Sequence, residues 1–290
     1  KNIGLFVTDD DLSPLQHRTL EAELSVKVMD RTGIILEIFA MRANSKEAQL
    51  QVEYAQLTYL KPRLTRMWTH LSRLGGGIGT RGPGEKQLEV DKRQIRNRMD
   101  TIKEKLLKIE KQRGLKRERR LTTPILTGSI VGYTNAGKST LLNSMTESNV
   151  TAESKLFATL DPTTKTFRIP SNEKVLLTDT VGFIQKLPNP LKTSFKATLE
   201  EINEANFILH VIDISHPNWE SMLKTSEILL EDLGSNKIPT IYVFNKIDLV
   251  KSPSTYDTIH KYHPNVCISA SKKESLSKLL YAIQKLLDVY

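Results

Sequence analysis

The chain has 290 residues, 39% hydrophobic and 26% charged, enough apolar material for about two cores. Its 42 Lys and Arg against 33 Asp and Glu leave a formal charge of +9, which favours polyanionic partners. The single cysteine, Cys267, excludes an internal disulfide, and no apolar run reaches the roughly 18–20 residues that span a bilayer. Stable membrane insertion therefore drops out, and a cytoplasmic protein, monomeric when free, is expected. The first residue is Lys rather than Met, so the chain reads as an excerpt and the lack of a leader carries no weight.

Residues 1–44 read as a small α/β unit. Strands are expected at 3–7 and 24–29. Ser13-Pro14 has the form of an N-cap followed by Pro at the first helical position, opening a helix to about residue 23. A second helix is expected at 32–42, and no phosphate-binding loop occurs in this unit.

Residues 45–120 differ in kind. Leu57, Leu60, Leu64, Trp68, Leu71 and Leu74 recur at steps of three and four, and so do Ile95, Met99, Ile102, Leu106 and Ile109, after Leu88. Two such stripes on otherwise charged helices predict a long antiparallel hairpin, with an irregularity at Pro62. Residues 85–120 hold 14 Lys or Arg against 7 Asp or Glu, so this arm supplies +7 of the net charge. A merely solvated face needs no such excess, whereas a surface for a phosphate backbone does; Lys86, Arg93 and Arg96 are its candidates. The joining loop, residues 74–85, carries Gly75, Gly76, Gly77, Gly79, Gly82 and Gly84, although a turn needs only about two to five residues. Gly75, Gly76, Gly77 and Gly79 would let the backbone approach another surface closely, with Arg81 free to fork onto a phosphate. A functionless loop is the plainer alternative. A second nucleotide site is disfavoured, because the loop does not join a strand to a helix.

At 113–123 a basic run, Arg113-Gly-Leu-Lys-Arg-Glu-Arg-Arg120, gives way to Leu-Thr-Thr-Pro124, which reads as the exit from a helix into a linker. Residues 121–290 then alternate strands, at 125–131, 165–169, 174–179, 207–213, 240–244 and 266–268, with helices at 138–146, 191–203, 219–233 and 276–287. That alternation predicts an α/β domain with a parallel sheet flanked by helices.

The first of these strands runs into Gly132-Tyr133-Thr134-Asn135-Ala136-Gly137-Lys138-Ser139-Thr140, which fits G-x-x-x-x-G-K-[ST] and opens a helix. Its glycines let backbone N–H groups face a phosphate, and the helix N-terminus adds its positive end. Lys138 would reach the β- and γ-phosphates, and the Ser139 hydroxyl would ligate Mg²⁺. In Asp179-Thr180-Val181-Gly182, Asp179 can hold the same Mg²⁺ and the Gly182 amide can sense the γ-phosphate. In Asn245-Lys246-Ile247-Asp248, the Asp248 carboxylate can take both the N1–H and the exocyclic amine of guanine, a donor pair that adenine lacks. Ser269-Ala270-Ser271 ends the last strand and puts a backbone N–H near the guanine O6. Each motif is weak alone. Four in order, each at a strand's carboxyl end, describe a P-loop GTPase domain that binds GTP and GDP.

Together these segments resemble the HflX family of translation-associated GTPases over nearly the whole chain. The most specific stretches are Gln51-Val-Glu-Tyr-Ala-Gln-Leu57, Pro62-Arg-Leu-Thr65, Trp68-Thr-His-Leu-Ser72, residues 75–85, residues 132–140, Phe157-Ala158-Thr159-Leu160-Asp161 and Asp179-Thr-Val-Gly-Phe183. The resemblance implies an N-terminal domain with a helical hairpin before the GTPase domain, binding to the large ribosomal subunit, and action in ribosome splitting or recycling, notably under stress. It directs the Gly-rich loop at ribosomal RNA near the peptidyl transferase centre. It also implies that residues 157–161 contact the nucleotide. Thr159 and Thr163 could each supply the second Mg²⁺ hydroxyl, and the family pattern favours Thr159. Family members often continue past the GTPase domain, whereas this chain stops at Tyr290.

No side-chain base is evident. Many GTPases place a water-orienting Gln after Asp-x-x-Gly; here that residue is Phe183, and the switch segments offer no obvious arginine finger. Lys138 and Gly182 are left as γ-phosphate stabilisers, so hydrolysis should be slow until a partner or a bound ion completes the site. Asn135 resembles the loop residue of potassium-stimulated GTPases. K⁺ bridging the phosphates is one reading and an ordinary loop hydrogen bond the other. Two other functions compete with a ribosome-directed, Mg-dependent GTPase: a GTP-dependent switch whose hairpin binds a non-ribosomal protein, and an RNA-remodelling enzyme. The six histidines lack metal-type spacing, His260 and His263 read as surface residues, and Cys267 is expected in a buried strand.

Overall fold

The computed structural model describes residues 3–67, 83–121, 125–146, 160–184, 188–250, 256–272 and 275–288. It divides into one unit of Lys1–Leu115 with Pro188–Phe195 and another of Lys116–Leu187 with Lys196–Tyr290.

In the first unit, β1 (Leu5–Val7) pairs in parallel with β2 (Lys27–Met29), and α1 (Pro14–Leu24) connects them. Ser13 starts α1 as expected. Its Oγ accepts from the Gln16 N–H at 3.3 Å while its own N–H donates to Gln16 Oε1 at 2.9 Å, so each side chain satisfies a donor that the helix start leaves over. Asp30 caps α2 (Arg31–Arg42) by accepting from the Gly33 N–H at 2.8 Å.

Asp30 does more than cap. It is fully buried, and it also accepts from the Tyr59 hydroxyl at 2.7 Å, the Leu12 N–H at 3.2 Å and the Arg63 guanidinium at 2.9 Å. Arg63 in turn donates to the Leu12 carbonyl and lies over the Tyr59 ring, so one carboxylate joins the strand-end loop, α2 and α3 (Lys46–Met67). Burial, then the bond to Asp30, push the Tyr59 phenol well above its ordinary range. Replacing one partner of such a pair strands the other charge, a loss of about 3–5 kcal/mol. Asp30→Ala should therefore lower the urea midpoint sharply, and Asp30→Asn should recover only part of it.

Helix α3 is continuous across Pro62, and α4 (Pro83–Leu121) is 39 residues long. The seam on α4 holds: Met99 and Ile102 are buried, Ile95, Leu106 and Ile109 are half-buried, and Leu107 off the seam is exposed. Arg98 forks onto both Glu53 oxygens, at 2.6 and 2.8 Å, tying α4 to α3. One expectation changes. Leu60 is 45% exposed, and the buried face of α3 lies earlier, at Ala48, Val52 and Ala55. Alanines carry too little hydrophobic contrast to mark a stripe. Helix α4 runs to Leu121, through Gly114, which costs only about 1 kcal/mol among strong helix formers. Trp68, Leu71 and Leu74, the loop with Gly75, Gly76, Gly77, Gly79 and Arg81, and the Lys86 and Leu88 side chains lie outside what is described.

The second unit is built on a six-stranded sheet: β3 (Leu126–Val131), β4 (Thr163–Arg168), β5 (Lys174–Asp179), β6 (Phe207–Asp213), β7 (Thr240–Asn245) and β8 (Asn265–Cys267). Their spatial order is β4-β5-β3-β6-β7-β8. Five strands are parallel, but β4 is antiparallel to β5. The sheet is therefore mixed, the expected parallel sheet with one antiparallel edge strand. Five residues separate β4 from β5, too few for the crossover that parallel strands need. Its helices are α5 (Lys138–Thr146), α7 (Trp219–Asp232) and α8 (Leu276–Leu287), while α6 (Asn189–Glu200) begins in the first unit and ends in the second. Ile130, Leu141, Leu142, Leu177, Leu209, Val243, Leu279 and Ile283 form one buried core between sheet and helices. Cys267 is half-buried rather than buried, since β8 is an edge strand; burial still pushes its thiol up.

After β3 the chain builds outward to β5 on one side and then to β6 on the other. That reversal opens a crevice at the carboxyl ends of the strands, the usual ligand position in such sheets. All four motifs end there.

Candidate functional site

The loop from Gly132 to Gly137 connects β3 to α5. Gly137 has φ +97°, and a side chain there would meet Asn245 Nδ2 at 2.3 Å, so both the turn and the close approach require glycine. Asn245 fills that gap from β7: its Nδ2 donates to the Ala136 carbonyl at 2.8 Å and its Oδ1 accepts from the Ala270 N–H at 2.9 Å. One asparagine thus fastens the phosphate loop to the Ser269-Ala270-Ser271 segment.

Lys138 is buried at the start of α5, and its Nζ donates to the Tyr133 carbonyl at 2.9 Å. Burial pushes its ammonium down to about 8, and Asp179 pulls partly against that. Ser139 Oγ donates to Asp179 Oδ2 at 2.6 Å. A hydroxyl and a carboxylate oxygen so placed are hard donors, and they fit Mg²⁺. Elsewhere among the described residues, no cluster of three or more His, Cys, Asp or Glu could hold a metal. A side chain at Gly182 would come within 2.9 Å of Lys138 Nζ and 2.8 Å of Thr134 Cγ2, so this glycine backbone lies against the Lys138 ammonium.

Phe183 follows Gly182 and pairs with the loop: its N–H donates to the Gly132 carbonyl at 3.0 Å and its carbonyl accepts from the Thr134 N–H at 2.8 Å. Its ring packs among Val131, Leu199, Ile202, Ile208 and Leu230. The residue is therefore held in the core by packing as well as being unable to orient water. Thr180 Oγ1 donates to the Ile130 carbonyl, which fixes the strand end before the switch.

After β7, Asp248 is exposed and the Ser269 hydroxyl holds its carboxyl below the usual range, so the carboxylate stays ionised. Ser269 and Ser271 share a 2.9 Å hydroxyl contact. Leu160 is buried and Asp161 half-buried, while Phe157, Ala158 and Thr159 lie outside the described residues. In the other unit, Arg93 and Arg96 are both exposed on α4.

Two residues escaped the sequence reading. Asp213, the last residue of β6, accepts from Lys246 Nζ at 2.6 Å, and Lys246 Nζ also donates to the Asn135 carbonyl at 2.8 Å. A lone acid closing the apolar run Phe-Ile-Leu-His-Val-Ile was the available signal. The other is His210, 1% exposed, whose Nδ1 has no hydrogen-bond partner in the structure. Burial, then the Lys138 charge, push it down to about 4. Unfolded, it would take a proton near pH 6.5, so its contribution to stability is complete above 6.5 and lost as pH falls towards 4. Thermal melts should drop over that window, and His210→Leu should flatten the drop.

Comparison with known proteins agrees with this layout. Residues 1–40 match a family described as "GTP-binding GTPase N-terminal", residues 42–120 "GTP-binding GTPase Middle Region" and residues 127–246 "50S ribosome-binding GTPase". The GTPase HflX of Caldanaerobacter subterraneus subsp. tengcongensis is 52% identical over 97% of this chain and 64% of its own length. That of Spirochaeta thermophila is 45% identical over 98% of this chain and 69% of its own. The chain thus spans about two thirds of the length of the curated relatives it matches. Among solved structures, a GTP-binding protein from Sulfolobus solfataricus in complex with GDP aligns with TM-score 0.58 and 26% identity, over 98% of this chain and 80% of that one.

Proposed function

The chain belongs to the HflX family of GTPases, and on that premise we propose that it binds GTP and Mg²⁺, hydrolyses GTP slowly alone, and docks on the large ribosomal subunit through the α3–α4 arm. The observation that carries the nucleotide part is the meeting of four motifs at one end of one sheet. Lys138, Ser139 and Asp179 sit where a triphosphate and its metal would be held, and Asp248 stands exposed for the base. Mg²⁺, held by Ser139 and Asp179 with Thr159 as the proposed third donor, would neutralise phosphate charge. The chain's own groups do the rest: Lys138 balances the developing negative charge and the Gly182 amide reports the γ-phosphate.

Nothing at the Phe183 position can align water, which supports a slow intrinsic rate and a partner or ion that completes the site. K⁺ beside Asn135 is one such ion. Turnover in KCl should exceed that in NaCl at equal ionic strength, and equal rates would leave Asn135 a loop residue.

Ribosome splitting or recycling under stress is the physiological setting we infer. It rests on the family and on the +7 charge of residues 85–120. The corresponding test is co-sedimentation with purified large subunits across a salt series. Arg93→Glu with Arg96→Glu should weaken binding and flatten the salt dependence. An unchanged slope would point to a protein partner for the arm, with the GTPase reading intact.

A further inference from the structure

The base-reading lysine is not free to follow the base. Lys246 Nζ is held from two sides, by the Asn135 carbonyl at 2.8 Å and by Asp213 Oδ2 at 2.6 Å. Asp213 is itself fixed: its Oδ1 accepts from the Ser215 N–H at 3.1 Å and the Ser215 hydroxyl at 2.6 Å, just past the end of β6. Both members of the ion pair are largely shielded, with 24% and 17% of their side chains exposed. Two residues of the phosphate loop are thereby anchored on neighbouring carbonyls, Asn135 by Lys246 and Ala136 by Asn245. Asn135 sits at φ +63°, in the left-handed region that asparagine adopts more readily than most side chains.

We propose that Asp213 is a positioning residue for nucleotide binding: its carboxylate aims the Lys246 ammonium at the Asn135 carbonyl and so couples the guanine-reading strand to the phosphate loop. This rests on the reading of the site as a guanine-nucleotide site. An ammonium can donate three hydrogen bonds in many directions, and a carboxylate at 2.6 Å restricts it to one arrangement. Without Asp213, Lys246 would turn towards solvent, the Asn135 carbonyl would lose its donor, and the phosphate loop would relax. Base choice would not change, because Asp248 makes it. Asp213 thus governs how long a nucleotide stays, not which nucleotide is chosen.

The test measures release of a fluorescent GDP analogue from the whole chain, with a thermal melt of each variant. Asp213→Asn should speed release about tenfold, the worth of one hydrogen bond to a charged group, while the preference for GDP over IDP stays as in wild type. Asp213→Glu should restore part of the lost residence time. Lys246→Ala should speed release as well, and the double variant should release no faster than Lys246→Ala alone, because both act through one ammonium. Additive effects in the double variant, or unchanged release in Asp213→Asn, would overturn the inference. Should Asp213→Asn prove too unstable, the comparison of Asp213→Glu with Lys246→Ala and their double variant decides in the same way. Failure of the wild type to bind the analogue would instead overturn the reading of the site on which this one rests.

Discussion

Lys138→Ala should weaken GTP and GDP binding by at least about thirtyfold while leaving the fold in place. The lysine is buried beside Asp179 and donates to the Tyr133 carbonyl, so its charge is already desolvated and directed before any phosphate arrives. A charge contact of that kind carries about 2–5 kcal/mol, on the order of thirtyfold to several thousandfold in affinity. Removing it also relieves an ammonium that burial disfavours, so the melting temperature should hold or rise. The same lysine predicts a pH dependence with a definite sign. In the free protein it loses its proton through pH about 8, and phosphate binds the protonated form. Affinity should be flat below 8 and then fall by about tenfold per unit above it, with a proton taken up on binding. Isothermal titration in buffers of different ionisation enthalpy, at pH 7 and 9, checks both points.

Asp248→Asn should exchange the base preference from guanine to xanthine. The carboxylate is exposed and kept ionised by a bond from the Ser269 hydroxyl, which it would share or exchange on meeting the base. An amide in its place presents a donor to a donor, and sites that read a base by paired hydrogen bonds reject the mismatch by factors on the order of 10⁴. XTP carries an acceptor where GTP carries its amine and should become the better substrate. Competition of GTP and XTP for the wild type and the variant is the measurement. Retained guanine preference would mean that a group other than Asp248 reads the base.

Much of this was legible in the chain, for physical reasons that differ by region. The phosphate loop was readable because the chemistry fixes residue types at fixed spacing: glycine where φ is +97°, lysine and serine at a helix start. The seam of α4 was readable because Met99 and Ile102 repeat on one face. The face of α3 was not, since Ala48 and Ala55 look neutral in sequence and become core only when another element covers them. The antiparallel edge strand β4 was missed for a related reason. Alternation of strand and helix fixes layers, whereas strand direction depends on connection length. Asp213 and His210 were passed over because each is a single residue in an apolar strand, and their meaning comes from Lys246 and Lys138, which the fold alone brings near.

We propose a GTPase that the large ribosomal subunit activates. It is tested most directly by GTP turnover measured with and without purified large subunits, at low and at physiological salt. The expected result is a low basal rate and stimulation of tenfold or more, about 1.4 kcal/mol off the barrier, that shrinks as salt rises. A fast basal rate, or a slow one that large subunits leave unchanged at both salts, would contradict it.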